Sequence, residues 1–133
     1  MERKKMNSYD FKNQVAVVTG GANGIGFSVA ERLSKSGASV KIWDLDIEAA
    51  QTAAETINAE AVECDITDWI SVQNATETSI NGSEKIDILV NSAGIAGPND
   101  TVVDYDNTAW DRIISVNLTG TYYVNKAVVP YMK

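Results

Sequence analysis

A glycine-rich turn carries the clearest chemistry in this sequence. The run from Thr19 to Gly26 reads Thr-Gly-Gly-Ala-Asn-Gly-Ile-Gly and directly follows the apolar stretch Val15–Val18. Gly20 can adopt backbone angles closed to other residues, Gly24 lets a phosphate approach the main chain, and the last glycine allows the next helix to lie close to its strand. The free amides at the start of that helix would face an anion. The turn therefore predicts binding of a dinucleotide through its phosphates.

A carboxylate follows at the distance that such a turn requires. Asp44 comes at the end of the next apolar stretch, Ser39–Trp43, about 20 residues after the glycines. A carboxylate there accepts hydrogen bonds from the ribose hydroxyls of NAD and repels the extra phosphate of NADP. Because the turn has Asn23 before Gly24 and contains no Lys or Arg, NAD is the favoured cofactor. Helix capping is the alternative role for Asp44, although Asp46 could provide that cap.

The elements that must position these residues alternate between apolar runs and helical patterns. Four strand-then-helix repeats predict an α/β fold with a parallel sheet. The predicted strands are Val15–Val18, Ser39–Trp43, Ala61–Glu63 and Ile86–Val90. We expect the first helix to end near Ser36 with Gly37 as a left-handed cap, and we expect Asp46 and Thr67 to cap the second and third helices.

The spacing Thr-Gly-x-x-x-Gly-x-Gly resembles the glycine motif of the short-chain dehydrogenase/reductase family. Further segments match that family in order along the chain: Cys64-Asp65-Ile66-Thr67, Asn91-Ser92-Ala93-Gly94 and Val116-Asn117-Leu118-Thr119-Gly120. Ser92 stands where the family has a second asparagine. The resemblance covers residues from about 12 to 133 and implies the first half of a Rossmann-like, doubly wound parallel sheet with about four strands. It also implies that the first and fourth strands are neighbours, with the ligand crevice between them.

The resemblance implies a set of cofactor-binding residues and one catalytic residue. The residues expected to contact the dinucleotide are Gly20, Asn23, Gly24, Ile25, Gly26, Asp44, Leu45, Asp65, Ile66, Asn91, Ala93 and Gly94. Asp65 corresponds to the family's adenine-contacting aspartate. Asn117 corresponds to the helix asparagine of its catalytic tetrad, which anchors a water that leads to the active-site lysine. No metal is expected.

Asn117 is also notable from its surroundings alone. On a helix it falls on the inward stripe with Trp110, Ile113 and Ile114, and poor helix formers follow it. A polar residue facing the sheet in a weakened turn predicts a loosened helix with a water or backbone site. A satisfied buried amide is the alternative.

A second pair, Tyr122 and Lys126, has the Tyr-x-x-x-Lys spacing of the family's catalytic pair. On one regular helix, however, both point well away from Asn117, so we expect an ordinary surface or partner-facing pair. By resemblance, the catalytic serine, tyrosine and lysine follow a fifth strand that this chain does not reach. We therefore expect the cofactor half of an enzyme, inactive alone, with residues 95–107 bordering the substrate end of the cleft and their aspartates, Asp100, Asp104 and Asp106, in a solvated loop.

The amino-acid composition limits the classes of partner that the chain is expected to bind. The formal net charge of −7 argues against nucleic acid or an anionic membrane, which would repel an acidic surface. There is no histidine, and Cys64 is the only cysteine, which excludes an internal disulfide and is expected to be a core residue. Residues 1–11 have no apolar run and are expected to form a flexible arm before a domain spanning 12–133. We expect a cytoplasmic protein.

The predicted function is hydride transfer between a nicotinamide cofactor and an alcohol or carbonyl substrate. A non-catalytic NAD-binding or interaction module is the alternative, whereas a methyltransferase with a similar sheet does not explain Asn91–Gly94 together with Asn117. A four-strand piece leaves its last strand as an unpaired edge and leaves Val124 and Val128 of the last helix in need of a partner. Self-association into a homo-oligomer is therefore expected.

Overall fold

The computed structural model describes residues 6–133, a parallel sheet with helices on both faces. The strands are β1 (Val15–Thr19), β2 (Ser39–Asp44), β3 (Glu60–Glu63) and β4 (Ile88–Asn91). The helices are α1 (Gly24–Lys35), α2 (Ile47–Ile57), α3 (Trp69–Ile80), α4 (Asn107–Ile114) and α5 (Thr121–Val128). A π-helical segment, Ser115–Gly120, joins α4 to α5, and a short 3₁₀ turn, Val129–Met132, follows α5.

The strand order is β3-β2-β1-β4, with every pair parallel. The chain therefore moves outward from β1 to β3 and then returns to the other side of β1. At the end of β1, Thr19 lies opposite Trp43 of β2 and Asn91 of β4. This reversal opens a crevice at the carboxyl ends of β1 and β4. The predicted Rossmann-like class and the predicted neighbours of β1 are confirmed.

Side chains alternate across β1 into two cores. Val15 and Val17 pack with buried residues of α3 and α5, while Ala16 and Val18 pack with buried residues of α1 and α2. Because both faces of the central strand are covered, its residues form a continuous apolar run. Val124 and Val128 of α5 are fully buried in the first core, so the expectation that they need an outside partner is wrong. They pack on the face of the sheet that α5 covers.

Most boundaries lie within one residue of the sequence prediction, and β4 is the exception. Its ladder with β1 begins only at Ile88, two residues later than predicted. The preceding Ile86 is buried, but its N–H donates to the carbonyl of Tyr131 instead of to β1. Burial therefore explains why Ile86 has the character of a strand residue without belonging to the ladder.

Two of the three predicted helix caps are present. Gly37 has φ +100 just after α1, and Asp46 accepts a hydrogen bond from the N–H of Ala49 at the start of α2. Thr67 does not cap α3. Asp68 does, by accepting from the N–H of Ile70, because Thr67 donates both its N–H and its hydroxyl to Asp65.

The loosened helix predicted around Asn117 is the π-helical segment itself. It ends at Gly120, where a Cβ would lie 2.7 Å from side-chain atoms of Ile66. Only glycine therefore lets the helix pass this close to the segment after β3.

The predicted N-terminal arm falls partly outside the described residues, which exclude 1–5. The part from Asn7 to Phe11 lies against α1. Arg32 donates to the carbonyl of Asn7, and the rings of Tyr9 and Phe11 stack in parallel at 5.8 Å. The flexibility of the arm stays a prediction. No helix between residues 6 and 133 is both long enough and apolar enough to cross a membrane.

Candidate functional site

An open cavity of about 430 Å³ lies at the carboxyl ends of the strands. Every residue predicted to contact the cofactor lines it except Asn91. Asn91 instead donates from its side-chain amide to Asn125 of α5. The residues that line the cavity without having been predicted are Trp43, Cys64, Thr67, Ser92, Ile95, Arg112 and Val116.

Each glycine of the turn meets a different geometric demand. Gly20 has φ +63, and a Cβ there would lie 2.8 Å from Cα of Ala93. A Cβ on Gly26 would lie 2.3 Å from the carbonyl oxygen of Gly20. Gly24 has φ +60 and nothing within 4 Å of a Cβ position. Gly20 and Gly26 therefore allow the backbone to pack closely, and Gly24 leaves open space beside the cavity.

Helix α1 begins at Gly24, at the wall of this cavity. Its first N–H groups have no acceptor within the helix, and its first turn carries no acidic side chain. The helix dipole adds partial positive charge at this end. Open space and unpaired donors together fit a phosphate group of a dinucleotide.

Asp44 is held by the main chain at the edge of the cavity. Its two carboxylate oxygens accept hydrogen bonds from the N–H of Ala22 at 3.2 Å and from the N–H of Asp46 at 3.1 Å. Each oxygen keeps a lone pair that can accept from a ribose hydroxyl. Since Asp46 provides the cap of α2, Asp44 is not needed for that role.

The two sides of the crevice are joined by Thr19. Its buried hydroxyl accepts hydrogen bonds from the N–H groups of Ser92 and Ala93, both at 3.1 Å. The segment after β4 is thus held through its backbone, which explains how serine can replace asparagine at position 92. Thr19 belongs to the glycine motif, but its side-chain role was not predicted.

Asn117 lies outside the cavity and holds the segment that follows Gly94. Its side chain accepts from the N–H of Ile95 at 2.8 Å and donates to the carbonyl of Ile95 at 2.9 Å. Asn117 is exposed, and Trp110 of the same predicted stripe is 57% exposed, so the expectations of an inward-facing asparagine and of a buried amide are wrong. The predicted backbone site is present, because both hydrogen bonds go to the main chain of Ile95. Both hydrogen bonds position the loop, and a catalytic role for Asn117 stays a prediction.

Tyr122 and Lys126 border one shallow groove together with Asn117. On a regular helix, Tyr122 and Lys126 would point well away from Asn117. Here the angle between them is smaller, because the π-helical segment has more residues per turn and rotates the later residues around the helix axis. The Lys126 ammonium lies 5.8 Å from the centre of the Tyr122 ring, but the Asn117 side chain has different partners from both. The Lys126 ammonium lies 5.0 Å from the centre of the Trp69 ring, while Asn117 bonds to Ile95.

Arg112 is the one basic side chain among the residues that line the cavity, beside the carboxylates of Asp44 and Asp65. It is exposed, and none of the ion pairs between residues 6 and 133 involves its guanidinium. Sequence reasoning missed it because an arginine on an exposed helix face is common. Its spacing of four residues from Val116, which also lines the cavity, is the signal that could have identified it.

Other titratable groups near the site have structural roles. Burial raises the pKa of the Cys64 thiol to about 12, so the thiol stays protonated and is not a nucleophile. Asp106 is exposed in the loop before α4, as expected, and it also caps α4 by accepting from the N–H of Ala109 at 2.8 Å. Within the described part of the chain, no three His, Cys, Asp or Glu side chains converge to hold a metal ion.

Comparisons with known proteins agree with this architecture. Residues 14–133 match the family model described as short chain dehydrogenase. The chain is 39% identical over 123 residues to 2-dehydro-3-deoxy-L-rhamnonate dehydrogenase (NAD(+)) of Sphingomonas sp., covering 92% of this chain and 49% of that protein. It is 33% identical over 127 residues to a probable NADP-dependent mannitol dehydrogenase of Yarrowia lipolytica, covering 91% of this chain and 46% of the relative.

Among solved structures, the 3-ketoacyl-(acyl-carrier-protein) reductase of Brucella melitensis complexed with NADH superposes with a TM-score of 0.88 at 35% identity. The match covers 92% of this chain and 51% of the reductase. The chain thus spans about half the length of the relatives that it matches. From its family-model match and these similarities, the chain belongs to the short-chain dehydrogenase family.

Proposed function

We propose that residues 12–133 form the NAD-binding half of an oxidoreductase that transfers hydride between a nicotinamide and an alcohol or carbonyl group. This proposal rests on the convergence of separate segments of the chain on one cavity. The glycine turn, Asp44 and the segment from Ser92 to Gly94 come from three different strand ends and line one cavity. When bound, the nicotinamide would supply the hydride acceptor or donor.

The residues of this chain would bind and orient the cofactor. The start of α1 would hold its phosphates, Asp44 the ribose next to the adenine, and Asp65 with the main chain of Ile66 the adenine edge. Asn117 would fix the loop at Ile95 that borders the nicotinamide end.

The preference for NAD rests on Asp44. A carboxylate held by two main-chain amides cannot turn away to admit a 2′-phosphate, and no Lys or Arg lies in the glycine turn to pair with one. One relative is named as an NAD(+) enzyme and another as NADP-dependent, so the choice follows from this chain's own residues.

The single Tyr-x-x-x-Lys of this sequence is the pair Tyr122 and Lys126. Since neither Tyr122 nor Lys126 lines the cavity, and the Lys126 ammonium lies over the Trp69 ring, we expect the 133-residue chain to bind the dinucleotide without oxidising or reducing a substrate. The absorbance of NADH in the presence of simple alcohols or ketones would report any turnover.

Calorimetric titration with NAD and with NADP tests the proposal. We expect NAD to bind more tightly, and we expect Asp44→Asn to weaken NAD by about tenfold, since a hydrogen bond to a charged group contributes about 1.5 kcal/mol or more. The matched control is Asp46→Asn, which also removes one charge but lies outside the cavity lining and keeps a good helix cap. Absence of binding by either dinucleotide would refute the proposed function.

A further inference from the structure

An asparagine followed by glycine lies within the exposed part of the glycine turn. Asn23 and Gly24 are both exposed and both line the cavity. Asn23 immediately precedes the first residue of α1, yet its side chain makes no capping hydrogen bond. The carboxamide therefore lacks the contact that usually holds an asparagine at this position.

Gly24 presents little steric resistance to attack on that carboxamide by the main chain. It has φ +60, and a Cβ at this position would meet no atom within 4 Å. As the first residue of α1, it has an N–H without an acceptor inside the helix. The ψ angle of Asn23 is 174°, so the turn must rotate before the nitrogen of Gly24 reaches Cγ of Asn23. The backbone freedom of glycine allows that rotation.

We propose that Asn23 is a site of spontaneous deamidation within the cofactor-binding turn. The nitrogen of Gly24 forms a bond to Cγ of Asn23, and the side-chain nitrogen leaves as ammonia after taking up the proton lost by the attacking amide. Water then opens the resulting five-membered imide at either carbonyl and leaves aspartate or isoaspartate at position 23. An amide and water have become a carboxylate and ammonium, with no oxidation or reduction.

The modification changes the part of the site where phosphate is expected, a consequence that rests on the proposed function. A new carboxylate at position 23 would repel the phosphates of the dinucleotide at short range. Isoaspartate would in addition lengthen the backbone by one carbon and displace Gly24. We expect the modified chain to bind NAD at least about tenfold more weakly. Bound NAD, in turn, would hold the turn still and shield it.

The chain contains an internal reference for the same chemistry. Asn81 and Gly82 form a second exposed Asn-Gly pair, at the end of α3. Gly82 has φ +92 and, like Gly24, nothing within 4 Å of a Cβ position. Neither residue lines the cavity. The two sites therefore share their chemistry and differ in whether a dinucleotide could shield them.

The test is incubation of the full chain at mildly alkaline pH, with and without NAD, followed by peptide mapping and isoaspartate detection. We expect both Asn23 and Asn81 to convert without NAD. With NAD at ten times its dissociation constant, conversion of Asn23 should slow about tenfold, in proportion to the free protein, while Asn81 keeps its rate. The Asn23→Gln variant should give no isoaspartate signal in this peptide, which identifies the position.

The charge effect is tested separately with Asn23→Asp, which exchanges two residue types that are equally favoured before a helix and should weaken NAD at least about tenfold. Asn81→Asp adds the same charge away from the cavity and should bind NAD as the parent does. The proposal is overturned if Asn23 stays intact in the folded, NAD-free chain while it converts in urea, or if NAD binds without slowing its conversion. Conversion of Asn23 in a chain that binds no NAD would support the modification and refute the proposed function.

Discussion

Asp44 has a structural role in the turn, and the proposed function adds a binding role for the same side chain. Its oxygens hold the N–H groups of Ala22 and Asp46, which fixes the glycine turn relative to the start of α2. The remaining lone pairs face the cavity that we assign to the cofactor. Removing the whole carboxylate would therefore disturb the turn as well as the ribose contact. This is why Asp44→Asn tests cofactor recognition more cleanly than Asp44→Ala.

Arg112 offers a charge-based prediction at the same site. Arg112 lines a cavity that Asp44 and Asp65 also line, and its guanidinium takes part in none of the ion pairs among residues 6–133. A dinucleotide carries negative charge into this acidic protein, so Arg112 should attract it. We expect Arg112→Gln to weaken NAD by about threefold to tenfold, as for a partly exposed charge contact. Calorimetry at two salt concentrations would measure the loss.

The control for Arg112 is Arg32→Gln, which removes an equal charge on α1 at a position outside the cavity lining. If Arg112 acts only through its positive charge, Arg112→Gln should weaken the binding of NAD and of NADP alike and should reduce the salt dependence of both. A selective loss of NADP binding would instead identify Arg112 as a partner of the 2′-phosphate and would contradict the proposed preference for NAD.

Asn91 illustrates what residue type and spacing could not predict. The resemblance places it with the cofactor residues, but its amide bonds to Asn125 of α5 instead of lining the cavity. Successive side chains of a strand point to opposite faces. Asn91 follows Leu89 by two residues and therefore lies on the same face, the one that α5 covers, where Asn125 accepts its hydrogen bond.

At the scale of elements, the close contact between the turn and α1 gives a stability prediction. Gly26→Ala would bring a Cβ to 2.3 Å from the carbonyl oxygen of Gly20, so backbone must move. We expect a loss of about 3 kcal/mol in the free energy of unfolding, within the range for overpacking. Urea denaturation would measure the loss, and calorimetry should show that binding of NAD is lost as well.

Gly82→Ala is the matched control for that substitution. It meets no atom within 4 Å, but φ is +92, so its cost is the strain of a left-handed alanine, about 1 to 2 kcal/mol. Binding of NAD should be unchanged because Gly82 lies outside the cavity lining. Equal destabilisation by the two variants would refute the assignment of Gly26 to close helix packing.

The elements were largely predictable because their apolar runs and turn residues are local signals. The four strands, Gly37 and the cap Asp46 all follow from neighbouring residues. The cap of α3 could not be predicted in this way, because the Thr67 hydroxyl donates to Asp65 and Asp68 caps the helix instead. The groove shared by Asn117 and Tyr122 was also missed, since a helical wheel of constant angle cannot represent the π-helical segment between them.

At the scale of the whole molecule, the edge at β4 lies where it was predicted, but the exposed apolar side chains near α5 are not the predicted ones. Val124 and Val128 are fully buried, so the inner side of α5 is already covered. The outer side is not, because Leu118 is 64% exposed and Tyr122 is 57% exposed. Strand β4 is also the last strand of the described sheet. Leu118 lies just before α5, Tyr122 within it and Val129 just after it, and we call these three exposed residues the outer face of α5.

Self-association through this outer face is the expected behaviour of the 133-residue chain. Exposed apolar side chains beside an open sheet edge favour contact between copies, while the net charge of −7 opposes it. We therefore expect reversible association that strengthens with salt and protein concentration, measured by sedimentation velocity. Leu118→Asp should shift the chain toward monomer, whereas Val103→Asp, on an exposed loop that does not line the groove beside α5, should have little effect. A chain that stays monomeric at high concentration and high salt would show that repulsion outweighs the apolar contact.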